Sequence, residues 1–518
     1  MAKRVTFAAV RTALAGSAEL ALLDAREQGV HYRGHPFFAC SAPLSRLELM
    51  IRDLVPRTAA PVVVLDSGGE GLAERAAARL GAMGYTDVAV LEGGCAGWQA
   101  AGGELFSGVN VPSKAFGEFV EHRYDTPRIP PEELLRLKDA NRKLVIVDSR
   151  PFEEYHRMNI PGGIDVPGAE LAWRIHDLVP DPETLVVVNC AGRTRSIIGC
   201  QSLRNAGIPN RVVALKDGTM GWDLAGFECE RGSTRVAEAP SEQGKAKALA
   251  LAERVAARFG VKFTTPDEIN DWQNDSSRTL YLLDVRTREE FEHGHVAGSR
   301  HAPGGQLVQA SDEYVAVRNA CVVLIDPERV RAVMTASWLE QMGWSEVYVL
   351  DDLRGLSIET GPRRRPGVEE WISIPSSEVS GPILDLSTSL RFHHAHIPGA
   401  WWAVRSRLDE AHEKIGEVSS LVLTSEDGLL AHLAAPEAQA LWPQANVSVL
   451  EGGNAAWIAA GRPTEGGVER ATTKRDDVWY KPYDHASDYK QHARDYLAWE
   501  VALVDQVKRD PTIRFRIY

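Results

Sequence analysis

An apolar run that stops at a carboxylate recurs four times along this chain. It reads Leu22-Leu23-Asp24, Ile146-Val147-Asp148, Leu282-Leu283-Asp284 and Ile383-Leu384-Asp385. A second apolar run follows each and ends 42 residues after the aspartate in the first three copies and 40 in the fourth, at Asp66, Cys190, Asp326 and Ser425. A tryptophan closes a small-residue turn 32 residues later in three copies, at Trp98, Trp222 and Trp457. The third copy reads Leu350-Asp351-Asp352-Leu353-Arg354-Gly355 there and lacks it. Short apolar runs bounded by turn residues predict buried strands. In the second copy they predict strands at Leu144–Asp148, Leu185–Asn189 and Val212–Leu215, with helices over 151–156 and 195–205. Strands that alternate with helices imply crossover connections and a parallel sheet covered on both faces. A register repeated four times implies four homologous domains. The boundaries predicted are 1–107, 108–236, 237–366 and 367–467, with the polar stretch 232–247 as the clearest break. Residues 468–518 do not repeat the pattern. Tyr489, Ala493, Tyr496, Leu503 and Val507 fall near helical spacing, which predicts a helical tail clamped across the domains.

Bulk composition narrows the function. The 518 residues carry a net charge of −13, which argues against nucleic acid or an anionic membrane as partner. No apolar run reaches the length of a membrane span. Six cysteines without paired spacing make a disulfide framework or a metal site the wrong reading and suit a reducing, cytoplasmic setting. No cofactor is called for.

One stretch stands apart, Cys190-Ala191-Gly192-Arg193-Thr194-Arg195-Ser196. It lies between a predicted strand and a predicted helix, at the carboxyl end of the strand, where parallel sheets place catalytic groups. A thiol there meets the positive end of a helix dipole and two arginines, both of which favour thiolate. Consecutive loop amides can cradle an anion. The expectation is a nucleophilic sulfur acting on an anionic substrate. Asp66, Asp326 and Ser425 stand at the equivalent position in the other three units and cannot store sulfane sulfur. Their loops read as lacking the paired arginines, and a scaffold role follows.

The landmarks resemble the rhodanese family of sulfurtransferases across residues 5–465. The family's Asp-x-Arg motif matches Asp148-Ser149-Arg150. Its His-Ile-Pro-Gly-Ala segment matches residues 396–400, with weaker copies at 160–163 and 295–298, and its Gly-Gly-x-x-x-Trp element matches the tryptophan turns. Its active-site loop matches Cys190, Arg195 and Ser196. The resemblance implies an α/β chain of four tandem rhodanese-like domains, each a parallel-sheet core with helices on both faces, followed by the helical tail. It also implies a two-step reaction. Cys190 takes sulfur from thiosulfate or a related donor as a persulfide and passes it to cyanide, a thiol or a protein acceptor. Residues Ala191, Gly192, Arg193, Thr194, Arg195 and Ser196 would bind substrate, with Asp148 and Arg150 in support; the pair recurs as Asp24/Arg26 and Asp284/Arg286, which favours a structural role. A sulfur relay or redox-sensing scaffold is the alternative. A cysteine phosphatase fits less well, because that chemistry uses Cys-x5-Arg, whereas Cys190 to Arg195 is Cys-x4-Arg. Cys200, Cys229, His156 and Trp222 read as structural or uninformative.

Overall fold

The computed structural model describes residues 3–363, 367–485, 487–516 and 518. Four sheets share one strand order. In the second unit the order is Arg128–Ile129, Val212–Leu215, Leu185–Asn189, Leu144–Asp148, Ile164–Asp165, all parallel. The third unit repeats it with Lys262–Thr264, Val347–Leu350, Cys321–Ile325, Leu280–Asp284 and Arg300–His301. The fourth does so with Ser373–Ile374, Asn446–Leu450, Ser420–Thr424, Ile383–Asp385 and Trp401–Trp402. The first unit has the same five strands and gains a sixth from outside, Val317–Arg318 of the third unit, antiparallel to Leu20 and Ala21. The three strands predicted for the second unit have the observed bounds, and the predicted helices are Phe152–Arg157 and Thr194–Ala206.

The repeated landmarks mark packing constraints. Arg26, Arg150 and Arg286 fold back on the aspartate two residues earlier, with Nη2–Oδ2 distances of 2.5, 2.7 and 2.6 Å. Each guanidinium also donates to the carbonyl eight residues on, at Gly34, Met158 and Gly294, and so pins the turn after the strand. The indoles of Trp98, Trp222 and Trp457 are buried, and each donates to a carbonyl six residues later. The glycine ahead of each tryptophan has a separate reason. Gly218 has φ +56°, and a Cβ there would overlap Cys190 O and lie 2.7 Å from Gly192 O. Gly94 and Gly453 press in the same way on the backbone of Asp66 and Ser425. In the third unit that position is Arg354, and no helix follows Leu350–Asp351.

The units associate in two equivalent pairs. In the second and third, Gly168 meets Gly305 so closely that a Cβ on Gly305 would lie 2.9 Å from Gly168 N. The helix Glu242–Phe259 packs on both Glu170–Leu178 and Val330–Gln341. In the first and fourth, the matching segments Leu44–Arg46 and Arg405–Arg407 meet, and buried Arg405 bonds Glu48 and Glu437. The tail binds the assembly together. Its helix Tyr489–Val507 lies on Val111–Tyr124 of the second unit, Arg509 pairs with Glu104 of the first, and Arg516 pairs with Glu340 of the third. Among the described residues no helix is long and apolar enough to cross a membrane.

Candidate active site

Cys190 follows the strand Leu185–Asn189 directly, and its loop turns into the helix Thr194–Ala206. Apolar packing of Val186, Val187 and Val188 on the sheet fixes the strand, so the thiol emerges at its carboxyl end. Asn189 ties this end to the rest of the unit: its side-chain amide donates to Asp148 Oδ2 at 2.8 Å and to Thr219 Oγ1 at 3.2 Å. Asp148 and Arg150 therefore brace the strand that carries Cys190. Thr219 Oγ1 in turn donates to Cys190 O.

What fills the loop differs between units. In the first, Asp66 accepts from its own loop amides, Gly68 N at 2.8 Å and Ala73 N at 3.2 Å. In the third, Asp326 accepts from Arg331 N at 2.8 Å and Ala332 N at 3.4 Å. In the fourth, Ser425 Oγ accepts from Ala431 N at 3.3 Å. The carboxylates thus occupy the space in which an anion would be held. Around Cys190, the amides of residues 191–195 donate to no group among the described residues; Ser196 sets its amide and side chain beside the thiol, its hydroxyl donating to Arg193 O at 2.8 Å.

The two arginines are not alike. Arg193 is buried and spent on carboxylates: Glu118 at 2.5 and 2.7 Å, Glu121 at 2.5 Å and Asp217 at 3.1 Å. The structure thus turns its guanidinium into a clamp that holds the helix Val111–Tyr124 on the loop, away from the predicted role of gripping a donor. Arg195 forks onto Glu154 at 2.7 and 3.1 Å and reaches Gln306 of the third unit at 3.3 Å. Burial alone would raise the Glu154 carboxyl, but Arg195, Lys481 and Arg150 hold it down at about 2. Glu154 also lines a cavity of about 490 Å³ together with Arg150, Arg157, Arg231, Lys481 and Tyr483.

The thiol itself departs from expectation. Burial raises the Cys190 pKa above its ordinary value and outweighs Arg195 and Ser196, which pull it down; Glu500 adds to the rise. Loop position and charge favour thiolate only where solvent or a donor reaches the site, and here the thiol is buried, with Tyr496, Leu497 and Glu500 of the tail packed on Gly192 of its loop. Alkylation of Cys190 by iodoacetamide is accordingly expected to speed up with pH into and beyond the range of an ordinary thiol. A rate that levels off below neutrality, measured by peptide mapping, would contradict this. Cys200 is held up at about 12 by burial and is no resolving thiol. His156 sits on an exposed helix, bonded to Ser233 O.

The third unit corrects one reading of its loop. It keeps arginines at the same offsets as the second: Arg329 and Arg331 after Asp326 match Arg193 and Arg195 after Cys190. Arg331 also repeats the bond of Arg195 to Glu154, through Glu290 at 2.7 Å. The repeat register already contained this signal. Glu118, Lys114 and Glu500, by contrast, come from outside the repeat and carry no motif.

These sheets, landmarks and loops are those of one fold class, and the chain belongs to the rhodanese-like domain family, whose model matches residues 8–101, 130–225 and 265–352. Over its whole length it is similar to a thiosulfate sulfurtransferase of Pseudomonas aeruginosa, with 48% identity across 99% of both chains and a TM-score of 0.95. Shorter likenesses are to an HTH-type transcriptional regulator of Mycobacterium tuberculosis, 38% identical over 102 residues, and to a putative sulfur carrier protein of Bacillus subtilis, 23% identical over 133. They cover 20% and 24% of this chain. The chain spans less than half the length of the regulator, 43%, and 70% of the carrier.

Proposed function

We propose that the protein is a sulfurtransferase of the thiosulfate type and that Cys190 is its sulfur carrier. The observation that carries this is the loop comparison. Cys190 is the one thiol among four equivalent positions, and its cradle of amides is open where Asp66 and Asp326 fill theirs. The likeness to the P. aeruginosa thiosulfate sulfurtransferase supports the donor class.

In the first step the Cys190 thiol loses its proton to solvent or the donor, and the thiolate attacks the outer sulfur of thiosulfate. A Cys190–sulfur bond forms, the donor's sulfur–sulfur bond breaks, and its electron pair leaves on sulfite. The loop amides from Ala191 to Ser196 hold the terminal sulfur of the persulfide, and Arg195, released in part from Glu154, offers charge to the departing anion. In the second step a nucleophilic acceptor, cyanide or a thiolate, attacks that terminal sulfur, and Cys190 departs as thiolate. Steady-state rates with thiosulfate, mercaptopyruvate and glutathione persulfide, run in parallel, test the donor. Turnover with none of the three would exclude the reading.

The two arginines are expected to separate in the same assay. Arg195→Ala lowers kcat/KM for thiosulfate about tenfold or more, because a charge-assisted hydrogen bond is worth roughly 1.5–3 kcal/mol. Arg193→Ala acts chiefly on stability. It strands Glu118 without its cation, a change that costs about 3–5 kcal/mol for buried pairs, read by urea denaturation. An unaltered denaturation midpoint for Arg193→Ala would return that residue to the donor site.

A further inference from the structure

The tail helix contributes one carboxylate to the interior of the catalytic unit. Glu500 is 1% exposed and lies against the Cys190 loop. Its Oε1 accepts from Thr194 Oγ1 at 3.2 Å and from Tyr496 OH at 2.9 Å. Its Oε2 would lie 3.3 Å from a Cβ on Gly192 and has no hydrogen-bond partner. Lys114, from the helix Val111–Tyr124, stands opposite, 5% exposed, with its ammonium 3.6 Å from Glu500 Oε1 and 5.5 Å from the Tyr496 ring centre. That distance is outside hydrogen-bonding range. Among the described residues the ammonium makes no hydrogen bond.

A buried ion pair kept only for stability should satisfy its oxygens and protons, since desolvation otherwise exceeds the attraction. This one leaves a carboxylate oxygen without a partner and holds the ammonium beyond hydrogen-bonding reach, beside a row of idle amides. That is the signature of an anion subsite whose occupant is a poor fit. The other units show the same principle within one loop, where Asp66 and Asp326 fill their own cradles.

We propose that Lys114 and Thr194, beside the loop amides that receive the transferred sulfur, form the subsite for the anionic end of the sulfur donor, and that Glu500 occupies it from the tail when no donor is bound. The proposal rests on the sulfurtransferase reading. A sulfonate-like group brings three oxygens to the ammonium and the Thr194 hydroxyl, where Glu500 brings two and uses one. A dianion must displace the Glu500 carboxylate to enter, so donor affinity is set by competition with the tail. The same competition holds for sulfite, the anion released.

Binding to protein that cannot turn over tests this. Thiosulfate and sulfite are titrated calorimetrically, at fixed ionic strength, into full-length Cys190→Ser and into that protein carrying in addition Glu500→Gln, Lys114→Met or Lys114→Arg. Glu500→Gln keeps the shape and removes the competing charge, so thiosulfate should bind about fivefold tighter or more; Lys114→Met should weaken it by a similar factor, and Lys114→Arg should retain most of it. Thermal melts of all four identify any variant that has failed to fold, and Glu500→Gln then carries the test alone. Equal or weaker binding with Glu500→Gln overturns the proposal. Persulfide formation by the wild-type protein is measured separately by mass spectrometry. Its absence alongside tightened binding would remove the sulfurtransferase reading and leave the anion subsite standing.

Discussion

Cys190→Ser is expected to abolish sulfur transfer completely. An alkoxide-forming side chain cannot carry sulfane sulfur, and no other equivalent position holds a thiol: Asp66, Asp326 and Ser425 stand there instead. The remaining cysteines are poor substitutes. Cys40, Cys95, Cys200 and Cys321 are buried, and burial pushes all of their thiols upward, Cys95, Cys200 and Cys321 to about 12. Cys229 is half-buried and raised to about 11. Incubation of the wild-type protein with thiosulfate should add one sulfur to the Cys190 peptide and to no other, as read by mass spectrometry under non-reducing conditions. Turnover retained by Cys190→Ser, or sulfur found on another cysteine, would end the assignment.

The largest stability effect is expected far from the thiol. Arg331 is fully buried, and it bonds Asp326 at 2.9 Å, Glu290 at 2.7 Å and Glu170 of the second unit at 3.2 Å. Carboxylates around one buried guanidinium are tolerable only while it is present. Arg331→Met keeps the length and removes the charge, which leaves Asp326 and Glu170 facing each other at low dielectric. Breaking a buried pair from one side costs about 3–5 kcal/mol, and here the second and third units also lose a bond between them. Urea denaturation should show the midpoint fall, and the double variant Arg331→Met/Asp326→Asn should recover part of the loss. An unchanged midpoint would mean that water reaches the cluster. Asp326 is thus a structural partner of Arg331, and its replacement by alanine is not the neutral change expected of an idle site. Ser425, whose side chain accepts a single amide at 3.3 Å, is the better position for a silent substitution.

The repeat was legible because each landmark answers a local demand. Asp148 and Arg150 are two residues apart and pair across one turn, so spacing alone predicts the bond. Gly218 lies 28 residues after Cys190 in sequence, yet only a residue without a side chain fits against the loop, and its identity reports that contact. Strands such as Leu185–Asn189, buried on both faces, read as plain apolar runs. Arg329 and Arg331 were readable as well, since they share the register of Arg193 and Arg195.

Residue type and spacing alone therefore pointed to four units, to a parallel sheet in each and to Cys190 as the candidate sulfur carrier, because those depend on short-range patterns that repeat; the strand order came from the structure. Tertiary structure alone decided the electrostatics of the site. Arg193 is identical in sequence whether it grips a donor or Glu118, and only the position of the helix Val111–Tyr124 separates the two. Glu500 lies 310 residues from Cys190, and no spacing rule connects them. It reaches the loop because apolar residues such as Leu503 seat the tail helix, and its charge adds to burial in raising a thiol that its own loop would have lowered. Charge acts through space and through the water that packing excludes, and chain order records neither.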